Sequence, residues 1–205
     1  MTDQFNRNDL TELNARLSLI ESMISEGRQK TESYGWTFVL WGIAYYVAIA
    51  WATLGHSNLA WPVTMVAAGI LTGVIITRRA ARNPETTTGR SIGAIWMGLG
   101  LALFVLCTSL AASGHAEQHV FVAVIMAMLG AANATSSIIL KWKAQFACAL
   151  AWLAGSAVSC FGTITQSSYA FLAAIFLCQI VFGIWLMISD ARERKTRART
   201  GAVHA

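Results

Sequence analysis

Charge is scarce in this chain. Asp, Glu, Lys and Arg make up 12% of its 205 residues, about half the share of an ordinary soluble domain. The shortage is uneven. Six intervals contain no Asp, Glu, Lys, Arg or His at all: Trp36–Leu54, Leu59–Thr77, Ile92–Ala112, Val120–Leu140, Phe146–Ile164 and Tyr169–Ser189. A helix of about 20 apolar residues crosses the hydrocarbon core of a bilayer, so each interval is a predicted span. Helices buried inside a soluble protein are excluded, because too little polar chain remains to cover such a core.

Other absences narrow the chemistry. Ion-coupled pumps, proton relays and voltage sensors keep ionisable side chains at membrane depth, and these spans have none. Only two prolines occur, and Pro62 alone lies in a span, near its first turn, so no broken helix is signalled. There is no HExxH, CxxC, P-loop or pair of intramembrane carboxylates. Intramembrane hydrolysis needs a nucleophile with a base or a metal. The closest approach is Ser113 in Ala111–His115, at the end of a span. Enzyme activity is therefore not expected, and neither is a cofactor. All four cysteines, Cys107, Cys148, Cys160 and Cys178, fall inside spans, where a free thiol acts as a small hydrophobe; a disulfide framework is not expected. The Asn133-Ala134-Thr135 sequon lies at membrane depth and is discounted. The first apolar span follows a long charged segment, so no removable signal peptide is expected.

The charges that are present have a pattern. Arg78, Arg79, Arg82 and Arg90 lie between spans two and three, and Lys141 and Lys143 between spans four and five. Arg192, Arg194, Lys195, Arg197 and Arg199 follow span six. The connections after spans one, three and five carry no Lys or Arg. This is the positive-inside bias of short loops, and it predicts both termini in the cytoplasm. A bacterial plasma membrane is the default setting for so compact a chain. The net charge of +5 is then directed at anionic lipid headgroups, and the partner expected is the bilayer rather than nucleic acid.

The expected fold is all-α: a polytopic six-helix transmembrane bundle of three hairpins, preceded by an N-terminal cytoplasmic amphipathic helix. Residues 1–33 form the cytoplasmic segment, with the helix at about 9–27. Residues 34–189 form the membrane domain, and 190–205 a basic cytoplasmic tail. Within the first segment Asp9 and Glu12 have capping-box spacing. Leu10, Leu13, Leu17, Ile20 and Ile24 recur in alternating steps of three and four, a narrow apolar seam on one helix face. Glu12–Arg16 and Glu26–Lys30 are favourably ordered i,i+4 pairs. The seam has four expected uses: plain packing, pairing with a second copy, docking on a cytosolic protein, or lying on the membrane surface. Six acids and four bases precede span one, which argues against the last.

Turn residues are also legible. Gly55 is expected to end span one in the left-handed conformation. Ser57 or Asn58 is expected to cap span two, and Ser91 span three. "TITQSS" reads as the polar turn between spans five and six. Tyr34, Trp36, Trp51, Trp61, Tyr169, Trp142 and Trp185 fall near span ends, as an aromatic belt requires. Trp41, Trp96 and Trp152 recur about 55 residues apart, each in the first helix of a hairpin, a spacing consistent with a weak internal repeat.

Three groups of side chains are candidates for function. His115 and His119 are spaced i,i+4 and share the outer face with His56. They are the only metal candidates, and too few ligands accompany them for a complete site; polar turn residues are the simpler reading. Asn133, within "GAANATSS", and Gln179 are the polar side chains at membrane depth, suited to hydrogen bonds between helices or to lining a polar path. Gly69 and Gly73, and Ala147, Ala151, Gly155 and Ser159, have the small-residue spacing of helix–helix seams, within the bundle or between copies. The function expected is that of a non-enzymatic membrane protein acting through contacts, as scaffold, sensor or complex subunit. The alternative is a small permease for a neutral or lipophilic solute.

Overall fold

A computed structural model describes residues 12–23, 25, 34–57, 59–80, 87–113 and 117–203. Every regular element among them is a helix. In chain order they are α1 (12–23), α2 (Gly35–Gly55), α3 (Ala60–Ala80), α4 (Thr87–Ser113), α5 (Gln118–Ile139), α6 (Lys143–Phe161), α7 (Ile164–Ile175), a π-helical segment (Phe176–Val181) and α8 (Phe182–Val203). Among the described residues six stretches are long and apolar enough to cross a membrane, the sixth running through α7, the π segment and the first half of α8. The fold is an all-α polytopic bundle.

The spans are unequal. α5 buries 56% of its apolar window inside the protein, whereas α3 buries 11% and α4 6%. The core therefore lies between α5, α6, α2 and the α7–α8 rod. Tyr45, Met126, Trp152, Phe171, Ile175 and Cys178 belong to its main cluster. Phe38, Ile92, Leu140, Trp142, Phe182 and Leu186 form a second, nearer the basic loops. Trp41 and Trp96 pack against the edge of the cluster that contains Trp152.

Small residues set the closest crossings. Gly35 and Gly183 bring α2 and α8 together: a Cβ on Gly183 would lie 2.9 Å from the Gly35 carbonyl oxygen. Gly42 opens α2 to Ile180 and Gln179 of the π segment. Tyr46 Oη donates to the Leu172 carbonyl at 2.9 Å, just where the chain leaves α-helical pairing. π segments appear where one helical turn is widened; here the widening inserts Cys178 and Gln179 into the core.

The turns differ from expectation in three places. His56, not Gly55, is left-handed (φ 47°); polar residues tolerate this region better than branched ones. Gly55 stays helical, and a Cβ there would meet the Trp51 ring. Ser91 lies inside α4, which starts a turn earlier, at Thr87. "TITQSS" is mostly helix. Thr163 Oγ1 accepts from the Gln166 amide (3.3 Å), and the Gln166 side chain accepts from the Thr163 amide (2.9 Å). This capping box pulls the polar residues into the first turn of α7. Ser57 Oγ accepts from the Leu59 amide at 3.3 Å, just ahead of α3, which begins at Ala60; Asn58 lies outside the described residues.

The α5–α6 connection is three residues long, Leu140 to Trp142. The Trp142 amide donates to the Ser137 carbonyl (2.9 Å) and the Lys141 amide to that of Ile138 (3.2 Å). These are the two bonds of a Schellman turn, with Lys141 in the left-handed position (φ 48°). Trp142 is folded inward, 5.7 Å from the Phe182 ring and 6.1 Å from Trp185. It is a core ring rather than a belt residue.

Candidate functional site

The α5–α6 hairpin carries the polar chemistry of the bundle. Its register is set by three contacts. Ser156 Oγ donates to the Ala123 carbonyl at 2.8 Å, Ser159 Oγ lies 3.7 Å from the Met126 sulfur, and Leu153 packs where Gly130 has no side chain. Carried toward the Schellman turn, this register brings Gln145 of α6 level with Ser136 and Ser137 of α5, one turn from Asn133. All four side chains are buried.

Their hydrogen bonding is incomplete. Asn133 Nδ2 donates to the Leu129 carbonyl one turn back, at 2.9 Å, and Ser137 Oγ donates to that of Ala134 at 2.7 Å. Asn133 Oδ1, Ser136 Oγ and both polar atoms of Gln145 have no partner among the described residues. A buried amide without a partner costs about 1–3 kcal/mol on protein scales, and lipid offers no substitute. The group is neutral. It can exchange hydrogen bonds with an uncharged polar molecule, and it has no nucleophile–base pair and no charge. Gln145 escaped the sequence reading because it follows Lys143 and resembles a flank of the span. Its spacing of four and seven from the buried Ala149 and Trp152 is the signal that would have found it. Gln179 is buried elsewhere, in the π segment.

The small-residue stripes divide. Gly155 and Ser159 are buried against α5, with Met126 filling the space beside Gly155. Ala147 and Ala151 are exposed. The reason is helical pitch: a strict i+4 row turns about 40° per step relative to a fixed face, so Ala147 and Ala151 leave the face that Gln145, Ala149, Trp152, Gly155 and Ser159 share. Gly69 and Gly73 meet no atom of the described residues within 4 Å of an added Cβ; among those residues their face of α3 is open.

The histidines do not converge on a described centre. His56 is exposed at the end of α2. His119 lies 3.7 Å from the exposed carboxylate of Glu117, and His115 lies outside the described residues. Among the described residues no three His, Cys, Asp or Glu side chains group as metal ligands. Cys178 Sγ lies 3.7 Å from the Cys148 carbonyl, and all four cysteines are free thiols.

The seam of α1 remains. Leu13, Leu17 and Ile20 are 54%, 50% and 51% exposed, and every residue of 12–23 is exposed. Glu12 and Arg16 form an ion pair on the same helix. Leu10, Ile24 and the Asp9 and Glu26–Lys30 features lie outside the described residues.

Protein-family models, curated proteins and solved structures were compared with the chain, and none matches.

Proposed function

We propose that this is a non-enzymatic membrane protein that acts through contacts, as a scaffold, sensor or complex subunit. It would sit in the plasma membrane with both termini in the cytoplasm. The observation that carries the reading is the uncovered seam of α1. Three large aliphatic side chains in one row, each at least half exposed, cost free energy in water, roughly 25 cal/mol for every Å² left uncovered. A helix whose described residues are all exposed would be stabilised by something outside the bundle. The open glycine face of α3 supports a similar role at membrane depth, because small residues let another helix approach closely.

The test is Leu17→Lys. The variant is expected to insert and fold like the parent while losing association made by the N-terminal segment, read by crosslinking and co-purification. Unchanged recovery of every associated chain would refute the contact reading.

A second reading is a permease for a small neutral solute. It is favoured by the unpartnered amide and hydroxyl groups of Asn133, Ser136 and Gln145. Purified protein in liposomes tests it. Solute flux abolished by Asn133→Leu would support it, and absence of flux would remove it.

A further inference from the structure

The contact reading leaves the occupant of the α1 seam open; resting on that reading, we propose that the occupant is a second copy of this chain, paired parallel and in register. The seam has one heptad assignment. Leu13 and Ile20 take d and Leu17 takes a, with Leu10 and Ile24 at further a positions of the sequence. Arg16 then falls at g and Glu21 at e. In a parallel pair each g residue faces the e residue of the next heptad on the partner helix. Arg16 therefore meets Glu21 of the other copy, and two-fold symmetry makes the match twice. The other complete g–e pairing sets Asp9 against Asn14, which involves no like charges. An antiparallel pair sets g near g and e near e, and loses the match.

The fold favours the same arrangement. Every copy in one membrane has one orientation, and a two-fold axis along the membrane normal keeps two α1 helices parallel when they stand along that normal. The ion pair with Glu12 restrains Arg16 on its own helix. A guanidinium has five N–H donors, so donors remain for the partner. About two heptads are marginal as free peptides. Six spans confine both copies to one plane, which raises their effective concentration without a new contact.

The experiment uses the full chain in membranes with Leu13→Cys as the reporter, because identical d positions adjoin in a parallel pair. The chain without that substitution is the blank for the four native cysteines. Oxidation is expected to yield a disulfide-linked dimer through position 13. Arg16→Glu and Glu21→Arg are each expected to lower the yield about five-fold, since two attractions become two repulsions. Combining both changes in one chain is expected to restore it, as is co-expressing the two single variants. Thermal unfolding of the bundle should not change in any of them, because α1 is exposed throughout. Charge variants without effect, or a double reversal that fails to restore the dimer, would overturn self-pairing. If Leu17→Lys still releases another protein in that case, the contact reading survives and only the identity of the partner falls. If it releases nothing, both fall.

Discussion

Replacing Gly183 by Ala tests whether α2 and α8 cross as closely as described. The added methyl would lie 2.8 Å from Val39 Cγ2, 2.9 Å from the Gly35 carbonyl oxygen and 3.0 Å from Phe38 Cβ. Val39 can rotate away. The carbonyl and the Phe38 Cβ are fixed to the α2 backbone, so the helices must separate by a few tenths of an ångström. That movement loosens the edge-to-face contact of Phe38 and Phe182, now 5.5 Å between centroids, and the packing of the fully buried Leu186. Such overpacking costs about 1–3 kcal/mol. Gly to Ala also gains about 1 kcal/mol in helix propensity, which obscures the result at one site alone. Gly73→Ala supplies the correction, because its methyl would meet nothing within 4 Å. The difference between the two variants isolates the steric effect. Taking about 2 kcal/mol, and about 2–4 °C per kcal/mol for a chain of this size, Gly183→Ala should melt about 4–8 °C below Gly73→Ala. Circular dichroism of purified protein in detergent reads this. Gly155→Ala should fall between them, since the obstacle there is the flexible end of Met126. Equal melting of the Gly183 and Gly73 variants would refute the crossing.

Three further outcomes follow from particular residues. Lys141→Gly should raise the melting temperature by about 1–3 °C, since a left-handed L-residue costs about 1–2 kcal/mol and the extra freedom of unfolded glycine offsets only part of it; a lowered value would contradict the Schellman turn. Gln145→Met should leave stability unchanged or raise it by about 1 kcal/mol, because it removes two unpartnered buried groups; a loss of more than about 1 kcal/mol would mean that the amide is bonded within the bundle. Reporters fused after His56, His115 and Gln166 should read as exterior, and those after Glu85 and Lys143 as interior; a reversed pattern would overturn the orientation.

Several features of the fold were legible because they depend on transfer free energy, which is local. Uncharged runs such as Ile92–Ala112 belong in lipid whatever their neighbours are, so the number of spans follows from composition and length. The amphipathic period of α1 is visible for the same reason, as is the placement of basic loops. Local chemistry was less transparent where two signals competed. Gly55 was the obvious left-handed residue, but the Trp51 ring claimed its empty side. Thr163 and Gln166 had capping-box spacing inside a stretch whose polarity resembled a turn.

What the sequence determined by itself is the solvent of each segment: six stretches for lipid, and an acidic helix and a basic tail for water. Only the tertiary structure decided which faces meet. It buried α5 and left α3 and α4 at the edge, closed Gly35 on Gly183 while Gly69 and Gly73 stayed open, and set Gln145 level with Ser136, one turn from Asn133. The reason is that lipid rewards every apolar face alike. Hydrophobicity cannot choose partners among six such helices. Shape, close backbone approach and a few hydrogen bonds do, and these are properties of pairs of residues far apart in the chain.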